Sequence, residues 1–205
     1  MTDRSANDQV EVEVIESRDG YRGFFSIAVH RLLHRRFDGA MSAPLTREIF
    51  GRGSAVGVLP YDPRLDKVLL IRQFLPGAYF AGRPARPLQI VAGMVEEGES
   101  PEEVARREAI EEAGCEIGRI EVAQAFLPSP GGSSEYVTIF CAEADLSNAG
   151  GIHGLAEEGE DILVEVMDAG EAISLLDAGD IEAAPAVVGL SWFARHRDRL
   201  RREWA

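Results

Sequence analysis

Apolar and polar positions change period several times along the chain, and each change predicts an element. VEVEVI (10–15) alternates with period two, as a half-buried strand does. FFSIAVHRLLHRRF (24–37) is dominated by Phe, Ile, Val and His and predicts a second strand, followed by a turn at Asp38-Gly39 and then LTREIF. SAVGVLPY predicts a strand, YDPRLD a turn with Pro63 at its corner, and KVLLIRQF a mostly apolar strand in which Arg72 and Gln73 point to opposite faces. PGAYFAGRPARP has no period and predicts a loop, and LQIVAG a strand. EVAQAFL leads to the turn SPGGSS, and EYVTIFCAEAD predicts another strand. A Gly- and Glu-rich loop, SNAGGIHGLAEEGED, precedes the strand ILVEVMD. EAISLLDAG predicts a short helix stopped by Gly179, and APAVVGLSWFARHRDRL a final amphipathic helix whose apolar residues are core. Strands and helices interleave without a strict βαβ rhythm, so the pattern predicts a mixed sheet flanked by helices.

One segment carries a helix signal together with an electrostatic problem. In GMVEEGESPEEVARREAIEEAGC (93–115), Ser100 is a capping residue, Pro101 suits the first helical position and Glu103 completes a capping box. Gly114 supplies a left-handed stop, leaving one helix of three to four turns. On it Glu108, Glu111 and Glu112 share one face, within roughly a 100° arc. No Lys or Arg is expected among them on that face. Like charges at this spacing repel, more strongly if the face is partly buried, and a hard divalent cation held by carboxylate oxygens relieves the conflict. A solvated acidic helix would leave the one-sided carboxylates unexplained.

Composition narrows the partners. A formal net charge of −14 disfavours nucleic acid and anionic lipid. Cys115 and Cys141 sit among apolar residues and read as reduced thiols. MTDRSANDQVEVEV has no apolar leader segment, and no run reaches membrane-spanning length. A cytoplasmic, soluble protein is expected, with no nucleic-acid or membrane partner. His30, His34, His153 and His196 do not fall at metal-ligand spacing with Cys or with each other.

The 93–115 segment also resembles the signature box of the Nudix hydrolases: Gly, five residues, Glu, seven residues, Arg-Glu, an aliphatic residue, any residue, Glu-Glu, any residue, Gly, an aliphatic residue. Gly93, Glu99, Arg107, Glu108, Glu111, Glu112 and Gly114 fill the glycine and charged positions, with the smaller Ala109 and Cys115 at the aliphatic ones. REIFGRGSAVGVLPYDP, QIVAGMVEEGES, FLPSPGGSSE and GIHGLAEEGEDI look like the ADP-ribose pyrophosphatase branch, and the likeness runs from about Tyr21 to the C-terminal REWA. The resemblance implies an α/β fold of α+β character: a Nudix-type α/β/α sandwich with a mixed sheet over residues 46–205. It implies that residues 1–45 form a small antiparallel β segment, exchanged between the subunits of a homodimer. The implied activity is Mg²⁺-dependent (or Mn²⁺-dependent) hydrolysis of ADP-ribose to AMP and ribose 5-phosphate, with two or more ions per active site.

Roles follow from the same resemblance. Glu108, Glu111, Glu112, Glu158 and the Ala92 carbonyl are expected as metal ligands, with Glu112 counted among the catalytic residues. Glu99 and Arg107 hold the loop, and Gly93 and Gly114 shape it. The general base is expected from the mobile Gly-rich loop, Glu158 first and Glu160 second. Phe24 is expected to stack on adenine and Arg47 to reach the substrate from the partner subunit; Ser129, Glu135, Arg72 and Met94 complete the substrate contacts. Two departures bear on substrate choice: Leu75 stands where the branch usually has Arg after Gln-aromatic, and Gln89 stands where it often has Glu. A GDP-mannose or other nucleoside-diphosphate-sugar pyrophosphatase is the alternative, and a non-catalytic ADP-ribose sensor a second one.

Overall fold

The computed structural model describes residues 10–205 and divides into two units. The first is an antiparallel sheet of β1 (Val12–Arg22), β2 (Ser26–His34) and β3 (Leu45–Gly51), in that order. Among the described residues β1 bonds only to β2; it is shifted in register after Val14 and Asp19 and is exposed along its whole length. β3 pairs with β2 from Leu45 to Gly51, and Phe50 bridges to Ser133. The first unit therefore ends at Gly53 and takes in Ser129–Glu135, rather than ending after residue 45.

The second unit is built on β4 (Ser54–Asp62), β5 (Lys67–Arg72), β6 (Leu88–Gln89), β7 (Val91–Met94), β8 (Ile117–Phe126), β9 (Tyr136–Ala144), β10 (Gly151–His153) and β11 (Ile162–Asp168). The order β10-β11-β5-β4-β9-β8 is antiparallel throughout except for the parallel β4–β9 pair, so the sheet is mixed as the pattern predicts. β4 and β5 pair directly only at Tyr61–Val68 and Asp62–Lys67. Beyond that they diverge, and residues 88–94 enter the gap: Gln89 pairs with Ile71 of β5, and Ala92 and Gly93 pair with Gly57 and Val56 of β4.

Both faces of this sheet are covered. On one, Leu59, Tyr61, Val68, Leu70 and Ile139 pack with α3 (Ala169–Ala178) and α4 (Ala184–Trp204). On the other, Val56, Val58, Leu69, Ile71 and Val91 pack with α2 (Pro101–Ala113). Alternation along β5 sorts its apolar run between the two cores. The PGAYFAGRPARP stretch, expected to be irregular, opens with a short helix, α1 (Pro76–Phe80), which starts on Pro76 as the first helical residue. The Gly-rich loop is also more ordered than expected, holding β10 and a 3₁₀ turn at Ala156–Glu158.

The β4–β5 turn hangs on Asp62, which is fully buried. Its Oδ1 accepts the Arg64 and Leu65 N–H groups at 2.9 and 3.0 Å, and its Oδ2 accepts the Leu146 N–H at 3.0 Å. Asp62→Ala orphans three donors, so urea unfolding is expected to show a loss of about 2–4 kcal/mol. A loss below about 0.5 kcal/mol would contradict this role.

Candidate active site

Helix α2 is placed by its ends and by small residues. Ser100 Oγ accepts the Glu103 N–H at 3.3 Å, and the Glu103 carboxylate accepts the Ser100 N–H at 2.8 Å, closing the predicted capping box. Gly114 ends the helix in the left-handed region at φ 58°. Ala105, Ala109 and Ala113 recur every fourth residue and are fully buried, so the helix backbone approaches the sheet closely. The approach is tightest at Gly93, where a Cβ would stand 1.7 Å from Glu108 Oε1. Any larger residue at 93 would force the Glu108 side chain to move.

Glu112 is 2 % exposed. Its Oε2 accepts the Ala92 N–H at 2.9 Å and its Oε1 accepts a proton from Gln73 Nε2 at 3.2 Å. Burial nevertheless pushes its pKa up to about 8, helped by the charges of Glu108 and Glu160 and opposed by those two donors. Burial also raises the Glu108 carboxyl, against the pull of Arg107.

The expectation that no cation lies on this face is wrong, because Arg107 curls back onto it. Its Nη1 donates to Glu108 Oε1 at 2.8 Å and to Glu111 Oε2 at 2.9 Å. Its Nε and Nη2 donate to the two oxygens of Glu99 at 3.0 and 3.2 Å, and Nη2 lies 3.5 Å from the Met94 carbonyl oxygen. One guanidinium thus serves three carboxylates, which hold it firmly charged. Among the described residues no group of three acidic, imidazole or thiol side chains is gathered in a metal-holding arrangement.

The Gly-rich loop docks on the end of α2. The Gly154 N–H donates to the Glu111 carbonyl at 3.3 Å, and the His153 ring lies so close to Gly114 that a Cβ there would be 2.6 Å from Cε1. Within the loop, Glu160 accepts the Leu155 N–H at 3.0 Å, and its charge bears on both Glu108 and Glu112. Glu158 is exposed in the 3₁₀ turn. The charges of Glu111 and Glu160 thus bear on Glu108, and those of Glu108 and Glu160 on Glu112.

Other residues singled out from the sequence have partners of their own. Arg72 shares the α3/α4 face with Leu70, where its Nε donates to Glu165 at 3.1 Å and its Nη1 to the Arg86 carbonyl, so it points away from Glu112. Phe24, Arg47, Ser129 and Glu135 belong to the first unit. Phe24 is 87 % exposed in the turn before β2 and meets Phe25 edge to face. Arg47 Nη1 donates to the Thr46 carbonyl, the Ser129 carbonyl accepts the Gly132 and Ser133 N–H groups, and Glu135 lies 3.4 Å from Arg52. The sequence signals for the site do not include Gln73, although its place in the Leu69–Ile71–Gln73 alternation puts it on the α2 face.

The elevated Glu112 carboxyl has a thermodynamic consequence. Its folded-state pKa lies above the unfolded one, so its contribution to stability is complete below about pH 4.5 and lost as pH rises through about 8. Metal-free wild type should therefore lose about 3–5 kcal/mol relative to Glu112→Gln between pH 4 and 9, by denaturant unfolding. A stability difference that does not change with pH would contradict the assignment.

The NUDIX domain model matches residues 51–187. An ADP-ribose pyrophosphatase of Escherichia coli (strain K12) is 48 % identical over 195 residues, covering 95 % of this chain and 93 % of the relative. A GDP-mannose pyrophosphatase of Enterobacter sp. (strain 638) is 34 % identical over 150 residues, covering 71 % of this chain and 76 % of the relative. A solved structure of an ADP compounds hydrolase superposes with a TM-score of 0.70 at 21 % identity, covering 94 % of this chain and 96 % of that one, and so shares the fold. With its domain match, its relatives and a helix whose box residues converge on one face, this chain belongs to the NUDIX family.

Proposed function

We propose that this protein hydrolyses the diphosphate bridge of ADP-ribose, giving AMP and ribose 5-phosphate. The observation that carries the chemistry is Glu112: a carboxylate 2 % exposed, beside Glu108 and Glu160, is a group that calls for a cation. The substrate reading is supported by 48 % identity to an ADP-ribose pyrophosphatase across nearly the whole chain.

The donors fit a hard divalent ion, since all are oxygens. Glu108, Glu111, Glu112, the Ala92 carbonyl and a loop carboxylate would hold Mg²⁺ or Mn²⁺. Once bound, the ions neutralise phosphate charge and acidify the attacking water. To take part, Glu108 and Glu111 exchange Arg107 for the ion, while Arg107 keeps Glu99 and with it the 94–99 loop. Water oxygen attacks phosphorus, the bridging P–O bond breaks, and a loop carboxylate takes the water proton. Glu160 is the better placed base, since its charge already bears on Glu108 and Glu112 whereas Glu158 faces solvent.

A homodimer fits the first unit. β1 is an eleven-residue edge strand carrying exposed Val12, Val14, Ile15 and Tyr21, the kind of edge that soluble proteins cover. Exchange of these strands would bring the partner's Phe24 and Arg47 to the substrate. Two buried free thiols suit the cytoplasm, and among the described residues no helix is long and apolar enough to cross a membrane.

The likeness to a GDP-mannose pyrophosphatase, together with Leu75, keeps a second substrate in view. In a panel of ADP-ribose, GDP-mannose and UDP-glucose with Mg²⁺, ADP-ribose should be cleaved fastest with AMP released. Faster cleavage of GDP-mannose would move the protein to the sister activity, and binding of ADP-ribose without AMP release would make it a sensor. Glu160→Gln should lower kcat about 10²–10⁴-fold and Glu158→Gln far less; the reverse order would return the base to Glu158.

A further inference from the structure

We infer that Gln73 is a positioning residue that fixes the orientation of the Glu112 carboxylate for metal binding; this rests on Glu112 being a ligand. Gln73 directly follows β5, whose α2-facing residues Leu69 and Ile71 are fully buried. The strand therefore delivers the carboxamide to a fixed place, 3.2 Å from Glu112 Oε1. The other oxygen, Oε2, takes the Ala92 N–H at 2.9 Å from β7. Two donors, one from β7 inside the splayed β4–β5 gap and one just past the end of β5, grip the two oxygens of one side chain.

That grip decides what the carboxylate can do. A carboxylate oxygen has two acceptor directions, and each oxygen of Glu112 uses one for a protein donor, leaving the other for a cation. The backbone donor alone would leave the group free to turn about its Cγ–Cδ bond and would leave Oε1 buried without a partner. Gln73 stops that rotation without adding charge. A carboxylate at position 73 would repel Glu112, and an ammonium or guanidinium would compete with the ion. An amide meets the need with a neutral donor.

The test follows Mn²⁺ uptake by the metal-free full-length chain, using the paramagnetic resonance signal of the unbound ion, without substrate. Gln73→Leu keeps the bulk and removes the donor. Its Mn²⁺ affinity should fall about tenfold or more, while its metal-free melting temperature falls only by the few degrees that one unpaired buried acceptor costs. A role confined to packing would move the melting temperature and leave Mn²⁺ affinity alone, which would overturn the inference. Gln73→Asn, which draws the amide back by one methylene, should also weaken Mn²⁺ binding; wild-type affinity in this variant overturns the inference even if Gln73→Leu folds poorly. Glu112→Gln separates the two levels. If it loses Mn²⁺ and Gln73→Leu does not, Gln73 has no such role and Glu112 remains a ligand. If neither loses Mn²⁺, the metal reading fails and the role of Gln73 falls with it.

Discussion

Helix α2 lies against the sheet at a distance set by alanines and glycine, and the burial of Glu112 is the consequence on which the rest of the structure turns. Ala105, Ala109 and Ala113 give the helix no side chains to hold it off, and Gly93 gives the facing strand none either. Glu108 and Glu112 are then pressed against the backbone of residues 91–94. An ionised carboxylate taken out of water is costly unless it is paired. The chain supplies one guanidinium, Arg107, and that group reaches Glu99, Glu108 and Glu111 without making a hydrogen bond to Glu112. Glu112 receives two neutral donors, which leave its pKa at about 8. The site is thus short of positive charge by construction, within a chain whose net charge is already −14.

The same approach explains why the fold splits its central hairpin. Had β4 and β5 stayed paired, no backbone N–H from residue 92 would meet the helix. Their divergence admits residues 88–94, which carry Ala92 to Glu112 and Gly93 to Glu108, while the end of β5 contributes Gln73. The loop after β9 then closes the far side, anchored where Gly154 and His153 meet the end of α2. Three separate segments reach this helix, two of them at a glycine, Gly93 and Gly154, and the third through the long Gln73 side chain.

Local signals in the sequence were the most legible. The cap at Ser100, the stop at Gly114 and the one-sided glutamates are all set within one helix, and they stand where the pattern puts them. The mixed sheet was also readable, because strand periods survive burial on two faces. What escaped was set by long-range contact. The resemblance assigns Arg107 to Glu99 alone, yet this long side chain on a crowded acidic face also reaches Glu108 and Glu111. Helix α1 was hidden because five residues with two aromatics and a Gly carry no period. Gln73 could be placed on a face from strand alternation, but its partner lies 39 positions away on another element. A boundary near residue 45 follows a change in composition, while the compact first unit extends to Gly53 because β3 pairs with β2.

Proton release on metal binding tests the central claim most directly. A buried carboxylate with a pKa of about 8 is largely protonated at pH 7 and must lose that proton to bind a cation. Calorimetric titration of the metal-free protein with Mg²⁺ or Mn²⁺ at pH 7, in buffers of differing ionisation enthalpy, should report release of roughly one proton, abolished in Glu112→Gln. Metal binding with no proton released, or with the same release in Glu112→Gln, would contradict the account.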